Sequence, residues 1–288
     1  GAEPWLFDIN KDNLTIDTEK IIQELKENTF EKNNKRYHRE FNKRVSAIIP
    51  VFTFGNPPNM TVLNQISKEF SIPIIADAAC AIGTTYKGKK LGDICDSGIF
   101  SFNGNKTITT GAGGLFFSKD IDIVKKVKHL SSTAKSSNNY DHDEVGFNFR
   151  MSNIQAAVGL AQIENLDLII KNKNKIFLNY LNAFDKNKFF ELLQDKKFGG
   201  GSKWINALIL KNDSIKKFDE LIFHLNEDKI RVKPFWKPMH LQKPYQKCLK
   251  SDLNQADLIH KKLLPLPSSA CLTDSEQKRV IKSIQSFF

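Results

Sequence analysis

The chain has 288 residues, 40% of them apolar, which leaves room for one large domain and a smaller one. No apolar run reaches the roughly 18 residues that span a bilayer, and the opening Gly1-Ala2-Glu3-Pro4 lacks the basic, apolar, small-residue succession of a signal peptide. The formal charge of +11 is nearly all lysine, but no nucleic-acid recognition motif and no aromatic-basic interleaving accompany it, so neither nucleic acid nor membrane is an expected partner; a polyanionic small molecule suits the positive potential better.

In chain order, Trp5–Phe7 reads as a short strand and Asp17–Glu27 as a helix capped by Asp17. The charged stretch Glu31–Arg44 has no apolar periodicity and predicts an exposed loop. Val45–Val51 is a compact apolar strand, Asn59–Phe70 an amphipathic helix, and Ile72–Ala76 a second apolar strand ending at Asp77. Gly98–Phe102 and Gly114–Phe117 predict strands, and Ile121–Leu130 a helix. From Asn153 a helical pattern runs to about Phe184, long enough to bridge two domains. After the loop Gly199-Gly200-Gly201, the pattern predicts a strand over Lys203–Leu210, a helix over Ser214–Asn226 and a strand over Ile230–Trp236. Helices near Leu253–Lys262 and Asp274–Phe288 close the chain. Short strands alternating with helices in the first half predict α/β architecture, with a mostly parallel sheet. The expected division is a large domain over 1–175, then the end of the bridging helix and a small α+β domain over 176–288. Cys80, Cys95, Cys248 and Cys271 form no CxxC pair, so neither a zinc site nor a disulfide framework is expected; no metal is assigned, and a reducing cytoplasm is the expected location.

Two places carry chemistry. Asp77 follows a buried strand, where open α/β sheets bind ligands; the competing reading is a cap for Ala78–Gly83. Lys106 is presented by the turn Asn103-Gly104-Asn105 after a strand, ahead of Gly111-Ala112-Gly113-Gly114; the competing reading is one more solvated lysine. No GxxxxGK[ST] or GxGxxG pattern supports nucleotide binding of those types. Together, a carboxylate ending one strand and a lysine after a neighbouring one match the needs of pyridoxal 5'-phosphate (PLP): an amine for the Schiff base and an acid for the pyridine nitrogen. Ser101 stands where it can contact the phosphate.

The stretch Ala76-Asp77-Ala78-Ala79, Gly83, Tyr86-Lys87-Gly88-Lys89, Gly92, Phe100-Ser101-Phe102, Lys106, Thr109-Thr110-Gly111 and Gly113-Gly114 resembles the DegT/StrS group of sugar aminotransferases. The likeness continues through Gly146-Phe147-Asn148-Phe149-Arg150-Met151-Ser152, Gln155-Ala156-Ala157, Gln162, Pro234-Phe235-Trp236, Pro238-Met239-His240 and Leu266-Pro267-Ser268-Ser269. The insert Glu31–Arg44 and the phrase Phe102–Lys106 look most similar to the branch serving nonulosonic, legionaminic-type acid pathways.

The resemblance implies fold type I, the aspartate-aminotransferase type. It makes Lys106 the Schiff-base lysine and proton shuttle, Asp77 the partner of the pyridine nitrogen, and Ser101 a phosphate contact. Asn148 would reach the phosphate in the other subunit of a homodimer with shared sites. Trp236 and His240 would lie near the sugar nucleotide, with Trp236 as a core aromatic the alternative. The implied reaction carries an amino group from L-glutamate to a nucleotide-linked keto sugar, best guessed as a UDP-4-keto-6-deoxy-hexose, for surface glycan (lipopolysaccharide or capsule) biosynthesis.

The sequence departs from the group's pattern at Ala76, where Glu is usual, at Cys80, where Gln, His or Glu stands near the cofactor ring, and at Phe52, where His is common. Relatives also carry a segment before the position of Gly1 with a helix N-terminus for the cofactor phosphate. The expectation is therefore a partial, N-terminally truncated sequence or a chain that holds PLP poorly. A degenerate or regulatory protein on the same fold is the alternative function. A sugar dehydratase would carry His in place of Lys106.

Overall fold

A computed structural model describes every residue of the chain except Asn138 and Lys196. Strand β1 is Trp5–Leu6 and helix α1 is Thr18–Asn28. Asp17 caps α1 by accepting from the amides of Glu19 and Lys20 at 3.0 and 3.3 Å, and the helix buries Ile21 and Leu25, one turn apart. A hairpin of β2 (Thr29–Lys32) and β3 (Lys35–His38) follows, then α2 (Met60–Phe70). In α2 the apolar spacing Met60, Leu63, Ile66, Phe70 makes one buried face, and the helix stops at Ser71 in the left-handed region. Next come β4 (Ile75–Asp77), the small hairpin β5 (Thr85–Tyr86) and β6 (Lys89–Lys90), the short helix α3 (Leu91–Ile94), strands β7 (Ser97–Ser101) and β8 (Gly114–Ser118), and α4 (Ile121–Ser131).

The first sheet has the order β4-β7-β8, with β4 and β7 parallel and β8 antiparallel to β7. The segment before the short 3-10 turn Thr53–Gly55 extends it: Ile48 bridges Ile74 and Val51 bridges Asp77, both in parallel. Alternation decides which side is covered. Ile48, Phe52, Ile74 and Ala76 enter a core with Ile21, Leu25, Leu63 and Ile66, while Ile49, Val51 and Ile75 stay exposed on the other face. Gly98 is where β7 must be bare: a Cβ there would sit 2.7 Å from the Phe117 ring and 2.8 Å from the Ala76 carbonyl.

Helices α5 (Asn153–Glu164) and α6 (Leu166–Ala183) lead to β9 (Phe190–Leu192), β10 (Asn206–Leu210), α7 (Phe218–Glu227), β11 (Leu249–Lys250), α8 (Asn254–His260), β12 (Leu263–Leu266) and α9 (Asp274–Phe287). The second sheet is antiparallel, in the order β12-β10-β9. Every residue of central strand β10 is buried. Its alternate residues serve two cores: Leu208 and Leu210 pack with Phe177, Leu221, Val280 and Ile284, and Ala207 and Ile209 pack with Leu14, Phe54 and Ile259. Strand β1 pairs in parallel with β11. Nearby, the fully buried Asp8 accepts from the amides of Gln255 and Ala256 at 3.0 and 2.9 Å at the start of α8, and pairs with Lys20 at 3.2 Å.

Several expectations need correction. Glu31–Arg44 is not an open loop: its first half belongs to the β2-β3 hairpin, turning at Asn33 and Asn34, both at positive φ. The helix from Asn153 breaks at Asn165, which ends α5 and starts α6. Ile230–Trp236 forms no strand; Pro234 lacks the N–H a ladder needs. Strands β9 and β12, which complete the second sheet, had no forecast. Pro265 lies in β12, an edge strand, where a missing donor is tolerated.

Candidate functional site

The parallel strands β4 and β7 end side by side, with Asp77 opposite Ile99 and Ser101 two residues further along. The chain turns after β4, and the Ala79 amide donates to Asp77 Oδ1 at 3.1 Å, so the capping geometry exists in a turn rather than a helix. Among the described residues Oδ2 has no hydrogen-bond partner, which leaves one carboxylate oxygen for a ligand.

After β7 the chain makes the turn Phe102–Lys106, closed by the Lys106 amide on the Asn103 carbonyl at 3.0 Å. The return limb packs on α5. Gln162 Oε1 accepts from the Thr109 amide at 3.4 Å, Met151 lies 3.1 Å from where a Cβ on Gly113 would sit, and Gly159 lets Thr110 approach the helix. This backing sends the half-buried Lys106 toward Cys80, with Nζ 3.2 Å from Sγ. On another side Nζ lies 4.4 Å from the centre of the Trp204 ring, a contact worth about 0.5–2 kcal/mol. Among the described residues no carboxylate forms an ion pair with Lys106.

Cys80 reports on both charges. Burial raises its thiol pKa above the ordinary value; the Lys106 ammonium and its hydrogen bond oppose that rise, and the Asp77 carboxylate adds to it. One thiol therefore feels the amine and the acid together. Ser101 is half-buried, and its Oγ accepts from the Asn103 amide at 3.3 Å, which keeps its hydroxyl proton available.

The other sequence candidates spread outward. Trp236 is 54% exposed, but its ring lies 5.7 Å from Trp204 and 4.7 Å from Phe235, in an aromatic row that ends at Lys106. His240 is held by Asp257, Nε2 to Oδ1 at 2.9 Å, and its side chain is 10% exposed. Asn148 is exposed, beside the stacked and exposed Phe147 and Phe149. Sequence reasoning missed Trp204, which is buried and donates from Nε1 to the Asn105 carbonyl at 2.7 Å. Being one of three tryptophans, just after a glycine run, was its only signal. His129, Asp143 and Glu144 also lie close enough to surround a cation, but they already pair with one another and with Lys126: His129 Nε2 bonds Asp143 at 2.6 Å, and Lys126 bonds Glu144.

The donor set fits PLP: an amine with no counter-charge, an acid with a free oxygen, and a hydroxyl at the adjacent strand end. The fold is that of fold type I PLP-dependent transferases. A DegT/DnrJ/EryC1/StrS aminotransferase from Brucella abortus superimposes with a TM-score of 0.87 at 24% identity, covering 100% of this chain and 74% of that one. The sequence matches the DegT/DnrJ/EryC1/StrS aminotransferase family over residues 1–285, and the chain belongs to that family. EpsN of Bacillus subtilis is 35% identical over 247 residues, which are 84% of this chain and 63% of that relative. A Campylobacter jejuni protein named UDP-4-amino-4,6-dideoxy-N-acetyl-beta-L-altrosamine transaminase is 31% identical over 271 residues, 93% of this chain and 68% of the relative. The chain thus spans roughly two thirds of the length of the curated relatives it matches, 63% and 66% for the first two.

Proposed function

We propose that this chain works as a PLP-dependent aminotransferase that carries an amino group from L-glutamate to a nucleotide-linked keto sugar, of the UDP-4-keto-6-deoxy-hexose type, for surface glycan biosynthesis. The observation that carries the reading is that Asp77 ends β4 beside β7, and Lys106, presented by the turn after β7, brings Nζ to 3.2 Å from Cys80 Sγ, three residues past Asp77. The naming of a Campylobacter relative as a UDP-amino-sugar transaminase supports the substrate class.

Bound PLP supplies an aldehyde that condenses with amines and a ring that accepts the electron pair left when a proton departs. Lys106 would hold the cofactor through its amine, and the same Nζ would serve as the acid–base group for the substrate proton. Asp77 would present Oδ2 to the ring nitrogen of the cofactor and favour its protonated form. Ser101 would donate to the cofactor phosphate, and Trp236 and His240 would border the sugar nucleotide. Asn148 serves the cofactor of a second subunit in a homodimer; the exposed Phe147 and Phe149 beside it support such an interface. A domain boundary near residue 175 would divide two of the cores, while a third, with Leu14, Phe54, Ala207 and Ile209, joins residues from both sides of it. Free cysteines, Cys80, Cys95, Cys248 and Cys271, suit a reducing cytoplasm, and among the described residues no helix is long and apolar enough to cross a membrane.

A second reading, a degenerate or regulatory protein on the same fold, draws on Cys80, whose thiol is a poor substitute for an amide's hydrogen bonds. The two separate on one preparation. Protein purified with PLP is expected to be yellow, and Lys106→Ala colourless. Half-transamination by L-glutamate followed by a panel of keto-sugar nucleotides then defines the acceptor. A colourless parent protein sinks the enzymatic reading, and colour that survives the substitution removes Lys106 from its role.

A further inference from the structure

We infer that Trp204 is a positioning residue for Lys106, set by a three-residue strap, Ser202-Lys203-Trp204, that reaches from the second sheet to both sides of the reactive amine. The inference rests on the reading of Lys106 as the amine that holds the cofactor.

The strap precedes β10 and touches the site twice. Ser202 Oγ donates to the Cys80 carbonyl at 3.0 Å, and the Ser202 amide donates to Thr84 Oγ1 at 3.1 Å. Gly55 makes this approach possible: at φ +83°, a Cβ on it would strike the Ser202 side chain and lie 2.8 Å from the Cys80 carbonyl. Two residues on, the Trp204 ring lies under Lys106 Nζ and its Nε1 fixes the Asn105 carbonyl, on the residue just before the lysine. The strap therefore holds Cys80 and Lys106 together, though they are 26 residues apart in the chain.

Helix α6 holds the strap from behind. Lys173 is buried, and its Nζ donates to the carbonyls of Trp204 at 3.0 Å, Lys203 at 3.5 Å and Ser268 at 2.7 Å. Lys203 in turn places its Nζ 4.3 Å from the ring centre of Phe177, one turn along α6. A buried ammonium without a carboxylate is costly to keep, and three carbonyls are what it receives in exchange. The arrangement makes the lysine's direction depend on the packing of α6 and the second sheet.

The test follows Lys106 itself rather than turnover. Parent protein, Trp204→Phe, Trp204→Leu and Lys173→Met are each mixed with PLP, trapped with borohydride at intervals, and mapped for label on Lys106, with circular dichroism to check folding. Trp204→Leu removes the ring face and the Asn105 bond, and is expected to slow labelling about tenfold or more, since misplacing a reacting group by an ångström can cost a hundredfold. Trp204→Phe keeps an aromatic face and should recover part of that loss, which a purely structural role would not produce. Lys173→Met should slow labelling by a smaller factor. Labelling also quenches tryptophan emission in the parent, and the Trp204→Phe protein should lose most of that quench. If the parent labels Lys106 and the folded Trp204 variants label it at the parent's rate, the inference fails. Should Trp204→Leu not fold, Trp204→Phe decides by the same criterion. A parent that never labels Lys106 overturns instead the reading of Lys106 on which the inference stands.

Discussion

The sheet β4-β7-β8 and the sheet β12-β10-β9 differ in what covers them. In the second, β10 is buried on both faces, and its alternating residues belong to two different cores. In the first, one face carries Ile48, Ile74 and Ala76 into a core while Ile49, Val51 and Ile75 remain exposed opposite. The proposed site residues Asp77, Ser101 and Lys106 lie at or just after strand ends of the half-covered sheet, and the Trp204 ring beside Lys106 comes from the segment leading into the closed one. A closed core is a rigid support, and a half-covered sheet leaves its strand ends accessible; the site uses each for what it does well.

Five substitutions sharpen that contrast. Leu208→Ala, in the closed sheet, should cost about 2–5 kcal/mol in chemical denaturation, whereas Ile75→Ala on the open face should cost under about 1 kcal/mol. Equal costs would show that the open face is covered in the protein as it exists. Asp8→Ala, which removes two bonds to the start of α8 and the partner of Lys20, should cost about 1–3 kcal/mol in the same assay.

The fourth change is read against pH. Desolvation holds the Lys173 pKa at about 8, below its ordinary 10.5. Between those values the unfolded chain binds more protons than the folded one, so this group makes stability rise with pH across that window. Below about 8 the cost of burying the charge is fully present. Lys173→Met should lack the rise, seen as a flatter dependence of the denaturation midpoint on pH between about 8 and 10; an unchanged slope would refute the assignment. Smallest in stability is Asp77→Asn, expected to lie within about 0.5 kcal/mol of the parent because only a turn contact changes, while PLP is retained less well on dialysis.

Much of this was legible in the sequence, for identifiable reasons. Asp17 announced its helix through cap chemistry and Asn59–Phe70 through its amphipathic spacing, and Ile72–Ala76 and Gly98–Phe102 announced neighbouring strands that bring Asp77 and Ser101 together. The β2-β3 hairpin was missed because its strands are charged, but Asn33-Asn34 was a usable two-residue turn signal. The break at Asn165 was hidden because apolar residues recur on both sides of it. Trp204 was invisible for a different reason: its role comes from a contact with Lys106 nearly a hundred positions away, and no local pattern encodes that.

The central claim is that Lys106 is the amine that takes up PLP at a site shared with Asp77. Borohydride reduction of the PLP-treated protein followed by peptide mapping tests it most directly. The account predicts one phosphopyridoxyl group per chain on Lys106, lost in Lys106→Ala and weakened in Asp77→Asn. Label scattered over the surface lysines, with Lys106 no more reactive than they are, would contradict it.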